Sequence, residues 1–431
     1  MEYSEALAYI DAHMSYEKTG RVESPSIENM QRLMTFLGDP QLAYPVVHIT
    51  GTNGKGSTAQ MITRLLMAHG LVVGTMTSPH LERPNERMCL NAEPISDNDF
   101  AEQIAAIADV EVLAGVHPTY FELMTASAFR WFADVAVDVV VVEVGMLGRW
   151  DATNVVDATV AVVTNVGMDH AQFAGPELSD IAREKSGIIK PNSVLVLGET
   201  EPDLAEIFRS AGAVRVLERE VDFSCVQNEL ALGGRLCDFR TNYGLYTDVF
   251  VPLHGRHQGD NAVLALAAVE AFFEAAVQHD VLAEGFSSVR WPGRFEVLGH
   301  QPLVILDGAH NPHGADACAA VFAEDFDPAG QRIMVVGFLS SQDPAAMLNA
   351  LRADEADRII CCTPPSPRAI PARVTAEAAK RAGCDVVEVV ESVGRACDRA
   401  LTDANSDDAI LVTGSLYLVG AARPHLKRRL P

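Results

Sequence analysis

Val46-Val47-His48-Ile49-Thr50-Gly51-Thr52-Asn53-Gly54-Lys55-Gly56-Ser57 decides how this chain is read. The first five residues are apolar or β-branched apart from one histidine, as a buried strand requires, and glycines then break the run. From Thr58 to Ala68 the pattern turns helical. A strand that opens through a glycine-rich turn into a helix presents backbone N–H groups and the positive helix end to phosphate oxygens. On this reading Thr52, Asn53, Gly54 and Gly56 form a cradle and Lys55 reaches the β- and γ-phosphates of a nucleotide. Ser57 offers a hydroxyl to magnesium or phosphate. Gly56 separates the lysine from the serine, so the spacing is not GxxxxGK[ST], and a glycine-rich turn with an exposed lysine is the competing reading.

Outward from this stretch, short β-branched runs alternate with longer helix-like windows, the pattern of a parallel sheet with crossover helices. Buried strands are expected at 46–50, 71–77, 135–144, 158–166 and 193–198, and a strong helix at 261–276. Residues 220–248 are irregular and suit an antiparallel insertion. Pro292-Gly293 marks a turn, after which strands are expected at 303–306, 333–337, 358–361, 385–390 and 409–413. The pattern predicts two α/β domains: residues 1–296, with a P-loop and a mostly parallel sheet, and a smaller Rossmann-like domain over 297–431.

Composition narrows the function classes. Lys+Arg 33 against Asp+Glu 58 leaves a formal net charge of −25, which argues against a nucleic-acid partner or an anionic membrane surface. At 48% hydrophobic and 21% charged, the chain is globular rather than disordered. No run reaches the ~20 apolar residues of a membrane span. Glu2, Glu5 and Asp11 stand where a signal peptide would be basic, so a cytoplasmic location is expected. The eight cysteines form no CxxC pair and are expected to be reduced thiols.

In this setting Gly51-Thr52-Asn53-Gly54-Lys55-Gly56-Ser57 resembles the folylpolyglutamate synthases and dihydrofolate synthases of the Mur ligase superfamily. The resemblance recurs at Ser78-Pro79-His80-Leu81, Tyr120-Phe121-Glu122-Leu123-Met124-Thr125-Ala126, Arg149-Trp150-Asp151-Ala152-Thr153-Asn154 and Asp169-His170. It continues at Glu184-Lys185-Ser186-Gly187-Ile188-Ile189-Lys190, His257-Gln258-Gly259-Asp260-Asn261-Ala262, Pro292-Gly293-Arg294, Asp307-Gly308-Ala309-His310-Asn311-Pro312 and Gly414-Ser415-Leu416-Tyr417-Leu418. It implies an ATP-dependent ligase that joins L-glutamate to the carboxylate of dihydropteroate or a folate through an acyl phosphate, acting as a monomer.

Two of the metal candidates also have a reading of their own. Glu143 ends the apolar run Val139-Val140-Val141-Val142, so a carboxylate emerges at the carboxyl end of a buried strand, where open α/β sheets place ligands. It suits either a magnesium ligand or a turn acid. His170 follows the 158–166 strand and suits either a metal ligand or a satisfied polar residue. The resemblance implies two magnesium ions: one held by Ser78, Glu143 and the nucleotide, the other framed by Glu143, His170 and Lys185, the lysine as its carbamate. It also implies ATP contacts from Asn261, Arg294 and Asp307. With the boundary at 297, these would place ATP between the domains.

For the acceptor, the resemblance implies pterin-binding loops at Thr119, Tyr120, Phe121 and Glu122 and at Trp150, Asp151 and Ala152. Trp150 suits stacking on an aromatic ring and equally suits covering the sheet. His310 and Ser415 are implied for the glutamate pocket, although His310 also suits a turn or a helix cap. Two stretches depart from the family pattern. Leu147 stands in Gly145-Met146-Leu147-Gly148-Arg149 where the family has glycine, and Ser341-Gln342-Asp343 replaces Asp-Lys-Asp. They leave room for a related amide ligase acting on a different carboxylate. A phosphate-binding switch or kinase would not need the second α/β domain, and a non-catalytic binding protein would not need the magnesium residues.

Overall fold

β1 (Val46–Thr50) lies inside an eight-stranded sheet with β2 (Val73–Met76), β3 (Met88–Leu90), β4 (Glu93–Pro94), β5 (Val139–Glu143), β6 (Val160–Val163), β7 (Val194–Leu197) and β8 (Arg215–Glu218). The strand order is β4-β3-β2-β5-β1-β6-β7-β8, parallel from β2 to β8, with the β2–β3 and β3–β4 pairs antiparallel. All five residues of both β1 and β5 are buried, which is why their runs are mostly apolar and do not alternate. This is a computed structural model that describes residues 1–20, 26–169 and 171–430.

The chain divides into two units. One runs from Met1 to Arg290 and the other begins at Trp291, with the short segments Glu17–Gly20 and Leu253–Gly255 counted with the second. Besides its large sheet, the first unit carries the antiparallel strands β9 (Ser224–Ala231), β10 (Gly234–Thr241) and β11 (Gly244–Val251), the insertion expected over 220–248. Helix His257–Phe273 packs on β9 and β10 and also on β6 and β7, so it joins the two sheets. Its Ala- and Leu-rich body is buried on nearly every side, as its composition requires.

The second unit has a six-stranded sheet made of β12 (Glu296–His300), β13 (Leu303–Asp307), β14 (Arg332–Val336), β15 (Arg358–Cys361), β16 (Val387–Val389) and β17 (Ala409–Thr413), in the order β12-β13-β17-β14-β15-β16. Only the edge strand β12 is antiparallel. Both units are therefore α/β, as the alternation of strands and helices implies. Arg294 lies in the second unit beside Asp307 and not with Asn261. The Pro292-Gly293 turn leads into β12 rather than closing the first unit, so the residues just after it are already part of the second sheet.

Candidate functional site

Parallel pairing brings the carboxyl ends of β2, β5, β1 and β6 to one edge of the first sheet, because neighbouring strands run the same way. Ile49 pairs with Glu143, so the β5 carboxylate emerges level with the start of the glycine-rich loop. Gly51 has φ +152, and a Cβ there would meet the Thr164 Oγ1 at 1.8 Å. Gly54 has φ +81, and a Cβ would come within 2.5 Å of the Asn261 Oδ1. Only glycine combines such torsions with this close an approach. Asn261, buried on helix His257–Phe273, therefore sits directly against the loop.

Residues after β6 tie the loop down. The Thr52 N–H donates to the Asn165 carbonyl at 3.0 Å, and the Asn53 N–H donates to Asn165 Oδ1 at 3.0 Å. Thr164 Oγ1 and Asn165 Nδ2 both donate to the Asn53 carbonyl, at 2.6 and 3.1 Å. Thr52 Oγ1 donates to the Gly167 carbonyl and accepts the Gly167 N–H. Thr52 and Asn53 thus hold the loop in shape, while helix Lys55–Ala68 begins at Lys55 with Gly54 as its N-cap and carries the buried Ser57 in its first turn. Sequence reading missed Thr164 and Asn165. Their signal was a Thr-Asn pair immediately after a buried parallel strand, at the sheet edge that carries the loop.

Two lysines converge on this loop. Lys55 Nζ donates to the carbonyls of Gly51 and Thr52 at 3.0 and 3.2 Å, and Lys185 Nζ donates to the same Gly51 carbonyl at 2.8 Å. Lys185 comes from the last turn of helix Leu178–Ser186 and is only 2% exposed. Burial lowers its pKa to about 7, helped by the Lys55 charge and opposed by Asp169 and Asp151. The resulting fraction of neutral amine at physiological pH is the form that can act as a nucleophile.

Glu143 is buried at the end of β5, and its Oε2 accepts the Ser78 N–H at 3.1 Å. This bond holds the Ser78 backbone, just after β2, against the β5 carboxylate, and a serine hydroxyl and a carboxylate are both hard oxygen donors that suit magnesium. Among the described residues no group of three or more His, Cys, Asp or Glu could hold a metal. Serine and carboxylate oxygens suit an ion whose coordination is completed by phosphate oxygens and water. The His170 assignment falls outside the described residues.

The residues expected in the acceptor loops are largely held by the protein itself. The Thr119 N–H donates to Glu122 Oε2 at 2.7 Å and Thr119 Oγ1 accepts the Glu122 N–H at 3.2 Å, a capping box that opens helix Tyr120–Asp134. Tyr120 is buried with the Arg87 guanidinium over its ring, and Phe121 is half-buried. The buried Asp151 accepts from the Met146 N–H at 2.8 Å and from the Thr153 N–H at 3.0 Å, beside the buried Ala152. Trp150 is 49% exposed, so it does not cover the sheet. Leu147 takes φ +58, and its carbonyl accepts from Thr50 Oγ1 at 2.6 Å. The backbone thus demands a left-handed residue at the position where leucine replaces glycine.

In the second unit, Asp307 ends β13 and accepts the N–H groups of Phe295 and Ala309 at 3.0 and 2.9 Å. Burial raises its pKa and Arg294 opposes the rise. Arg294 Nη1 donates to the Gly308 carbonyl at 3.1 Å. His310 is exposed, with its Nδ1 2.9 Å from the Gly308 carbonyl, which can only accept, so Nδ1 carries a proton. Ser415 is fully buried and caps helix Leu416–Arg429, its Oγ accepting the Leu418 N–H at 3.2 Å.

Residues 49–269 match the Mur ligase middle domain and residues 293–416 the Mur ligase glutamate ligase domain. A dihydrofolate synthase/folylpolyglutamate synthase of Mycobacterium tuberculosis is 39% identical over 93% of this chain and 89% of its own. The folylpolyglutamate synthase structure from the same organism, complexed with ADP, superposes with a TM-score of 0.91 at 37% identity and covers 98% of both chains. A Yersinia pestis bifunctional folylpolyglutamate synthase/dihydrofolate synthase, complexed with AMPPNP and Mn ion, gives 0.86 at 30% identity over 99% of this chain and 98% of that one. With both Mur ligase domains present in order and near-complete coverage, the chain belongs to the folylpolyglutamate synthase/dihydrofolate synthase family of Mur ligases.

Proposed function

We propose that this protein uses ATP to join L-glutamate to the carboxylate of dihydropteroate, of a reduced folate, or of both, releasing ADP and phosphate. The observation that carries the reading is the convergence of Lys55 and Lys185 on the glycine-rich loop, with Glu143 one strand away. In the first step the acceptor carboxylate attacks the γ-phosphorus and ADP leaves, giving an acyl phosphate. Backbone N–H groups at the start of helix Lys55–Ala68, together with Lys55, offset the charge spread over the phosphoryl oxygens. In the second step the glutamate amine attacks the acyl carbon, phosphate leaves, and the amine nitrogen loses its proton as the amide forms. The protein needs no nucleophile of its own, only position and charge.

Ser57, Ser78, Glu143 and Lys185 would hold magnesium, with His170 completing the set. When bound, the metal supplies charge neutralisation at the phosphates. Lys185 is proposed to act as its carbamate: the neutral amine adds to carbon dioxide, a C–N bond forms and a proton is released, leaving an anionic oxygen donor. Its burial and depressed pKa near 7 support that chemistry. Asn261, Arg294 and Asp307 are proposed ATP contacts. Thr119, Tyr120, Phe121, Glu122, Trp150, Asp151 and Ala152 are proposed for the pterin side, and His310 and Ser415 for glutamate. The protein is proposed to act as a monomer, which light scattering checks.

The deciding experiment measures phosphate release from ATP with magnesium and L-glutamate, adding dihydropteroate or tetrahydrofolate in parallel and weighing the products. A product heavier by one glutamyl unit supports the reading and separates the two activities. ATP binding without either product would turn the search to another carboxylate, beginning with the loop around Leu147.

A further inference from the structure

The loops that follow β13, β17 and β14 stand side by side, because those strands are neighbours in the order β13-β17-β14. They carry His310, Gly414-Ser415 and Leu339–Asp343 in turn. The Gln342 side chain ties all three together. Its Nε2 donates to the His310 carbonyl at 2.7 Å and to the Gly414 carbonyl at 2.9 Å, and its Oε1 accepts the Leu339 N–H at 2.6 Å. The Gln342 backbone N–H also donates to the Leu339 carbonyl at 2.9 Å, which closes its own loop.

A primary amide suits this place because it has two donors and an acceptor at one planar end. Both donors and the acceptor are used here, each on a different loop. A lysine would offer donors to the two carbonyls but leave the Leu339 N–H without that acceptor, and a leucine would leave two carbonyl oxygens converging on an apolar group. Carboxyl ends of parallel strands are where such sheets bind ligands, so a tie across three of these loops fixes the geometry of a binding surface.

We propose that Gln342 is a positioning residue for the incoming amino acid: it sets the spacing between the His310 loop and the Gly414-Ser415 loop, and so the affinity for L-glutamate. This rests on the placing of His310 and Ser415 in the glutamate pocket. Gln342 itself does not touch the reacting atoms. Its loss weakens glutamate binding far more than ATP binding, because the glycine-rich loop lies in the first unit and Asp307 is held by the Phe295 and Ala309 N–H groups rather than by Gln342.

The test compares the full-length wild type with Gln342→Leu and Gln342→Lys in steady-state phosphate release, varying L-glutamate and ATP separately and recording a melting curve for each. For Gln342→Leu the expected result is a KM for L-glutamate raised about tenfold or more, with the KM for ATP within twofold of wild type. Gln342→Lys, which restores the two donors, should recover a large part of the loss. A leucine variant with wild-type KM for glutamate, or one in which both KM values move together, overturns the proposal. So does a lysine variant no better than leucine despite an unchanged melting temperature. If the ligase reading itself is wrong, wild type shows no glutamate-dependent phosphate release at all, an outcome distinct from every variant result.

Discussion

Lys55 and Lys185, 130 positions apart in the sequence, donate to one acceptor, the Gly51 carbonyl, at 3.0 and 2.8 Å. Burial lowers the pKa of Lys185 to about 7, and repulsion from the Lys55 charge at the same oxygen adds to it. Conversion of Lys185 to an anionic carbamate would turn that repulsion into attraction. Lys185→Ala should therefore cut kcat by roughly a hundredfold or more while the melting temperature stays near that of wild type, since a buried like-charge contact is removed. Wild-type protein stripped of dissolved carbon dioxide should lose activity and regain it on addition of bicarbonate. Full activity in the alanine variant, or indifference to bicarbonate, would sink the assignment.

Glu143→Gln separates the structural part of this residue from its charge. The amide oxygen can still accept the Ser78 N–H that the carboxylate accepts at 3.1 Å, so the strand ends stay in place. The negative charge is gone, and an amide is a poorer ligand for a hard divalent ion. Turnover should fall about a hundredfold or more, and the magnesium concentration for half-maximal rate should rise. A magnesium titration of both proteins checks this, and superimposable curves would remove Glu143 from the metal site.

Gly54→Ala puts a methyl group 2.5 Å from the Asn261 Oδ1 at a residue with φ +81. The torsion alone costs about 1–2 kcal/mol for a residue with a Cβ, and the contact forces Asn261 or the loop to move. We expect at least tenfold weaker ATP binding by calorimetry. Adding Asn261→Ala should relieve the contact but not the torsion, so the double variant should recover protein stability only in part. An alanine variant that binds ATP like wild type would show that the loop is not the nucleotide cradle.

The strand–glycine loop–helix unit was legible because its cause is local: a strand, glycines and a helix start within a dozen residues. Glu143 was legible for a related reason, a carboxylate closing an unbroken apolar strand. Lys185 was not, since nothing in Glu184-Lys185-Ser186 reveals that the side chain turns inward to Gly51, and only the resemblance singled it out. The capping box of Thr119 and Glu122 was readable as Thr-x-x-Glu before an apolar run, yet a ligand-loop reading of those residues passed over it. Arg294 was assigned to the first domain because the boundary was set at 297, shortly before the next expected strand, whereas the second unit begins at Trp291 and already includes the Pro292-Gly293 turn and the edge strand β12. Residues whose role depends on a distant partner were found by resemblance or not at all.

Glu270 gives a pH test that does not depend on activity. It lies buried on helix His257–Phe273, where its Oε1 accepts from Thr241 Oγ1 at 3.0 Å and from the Tyr246 hydroxyl at 2.5 Å. Burial raises its pKa from 4.5 to about 7, against the lowering effect of those two donors. For an acid with a raised folded-state pKa, the folded state keeps a proton that the unfolded chain releases, so stability falls as pH rises from about 4.5 to about 7 and then levels off. The full difference corresponds to roughly 3 kcal/mol. Glu270→Gln keeps both acceptor contacts and never ionises. Its melting temperature should match wild type near pH 4.5, rise above it by several degrees as the pH reaches 7, and hold that gap to pH 8. Melting curves of the two proteins that stay parallel across this range would mean that Glu270 is already ionised in the fold, and that its two hydroxyl donors outweigh its burial.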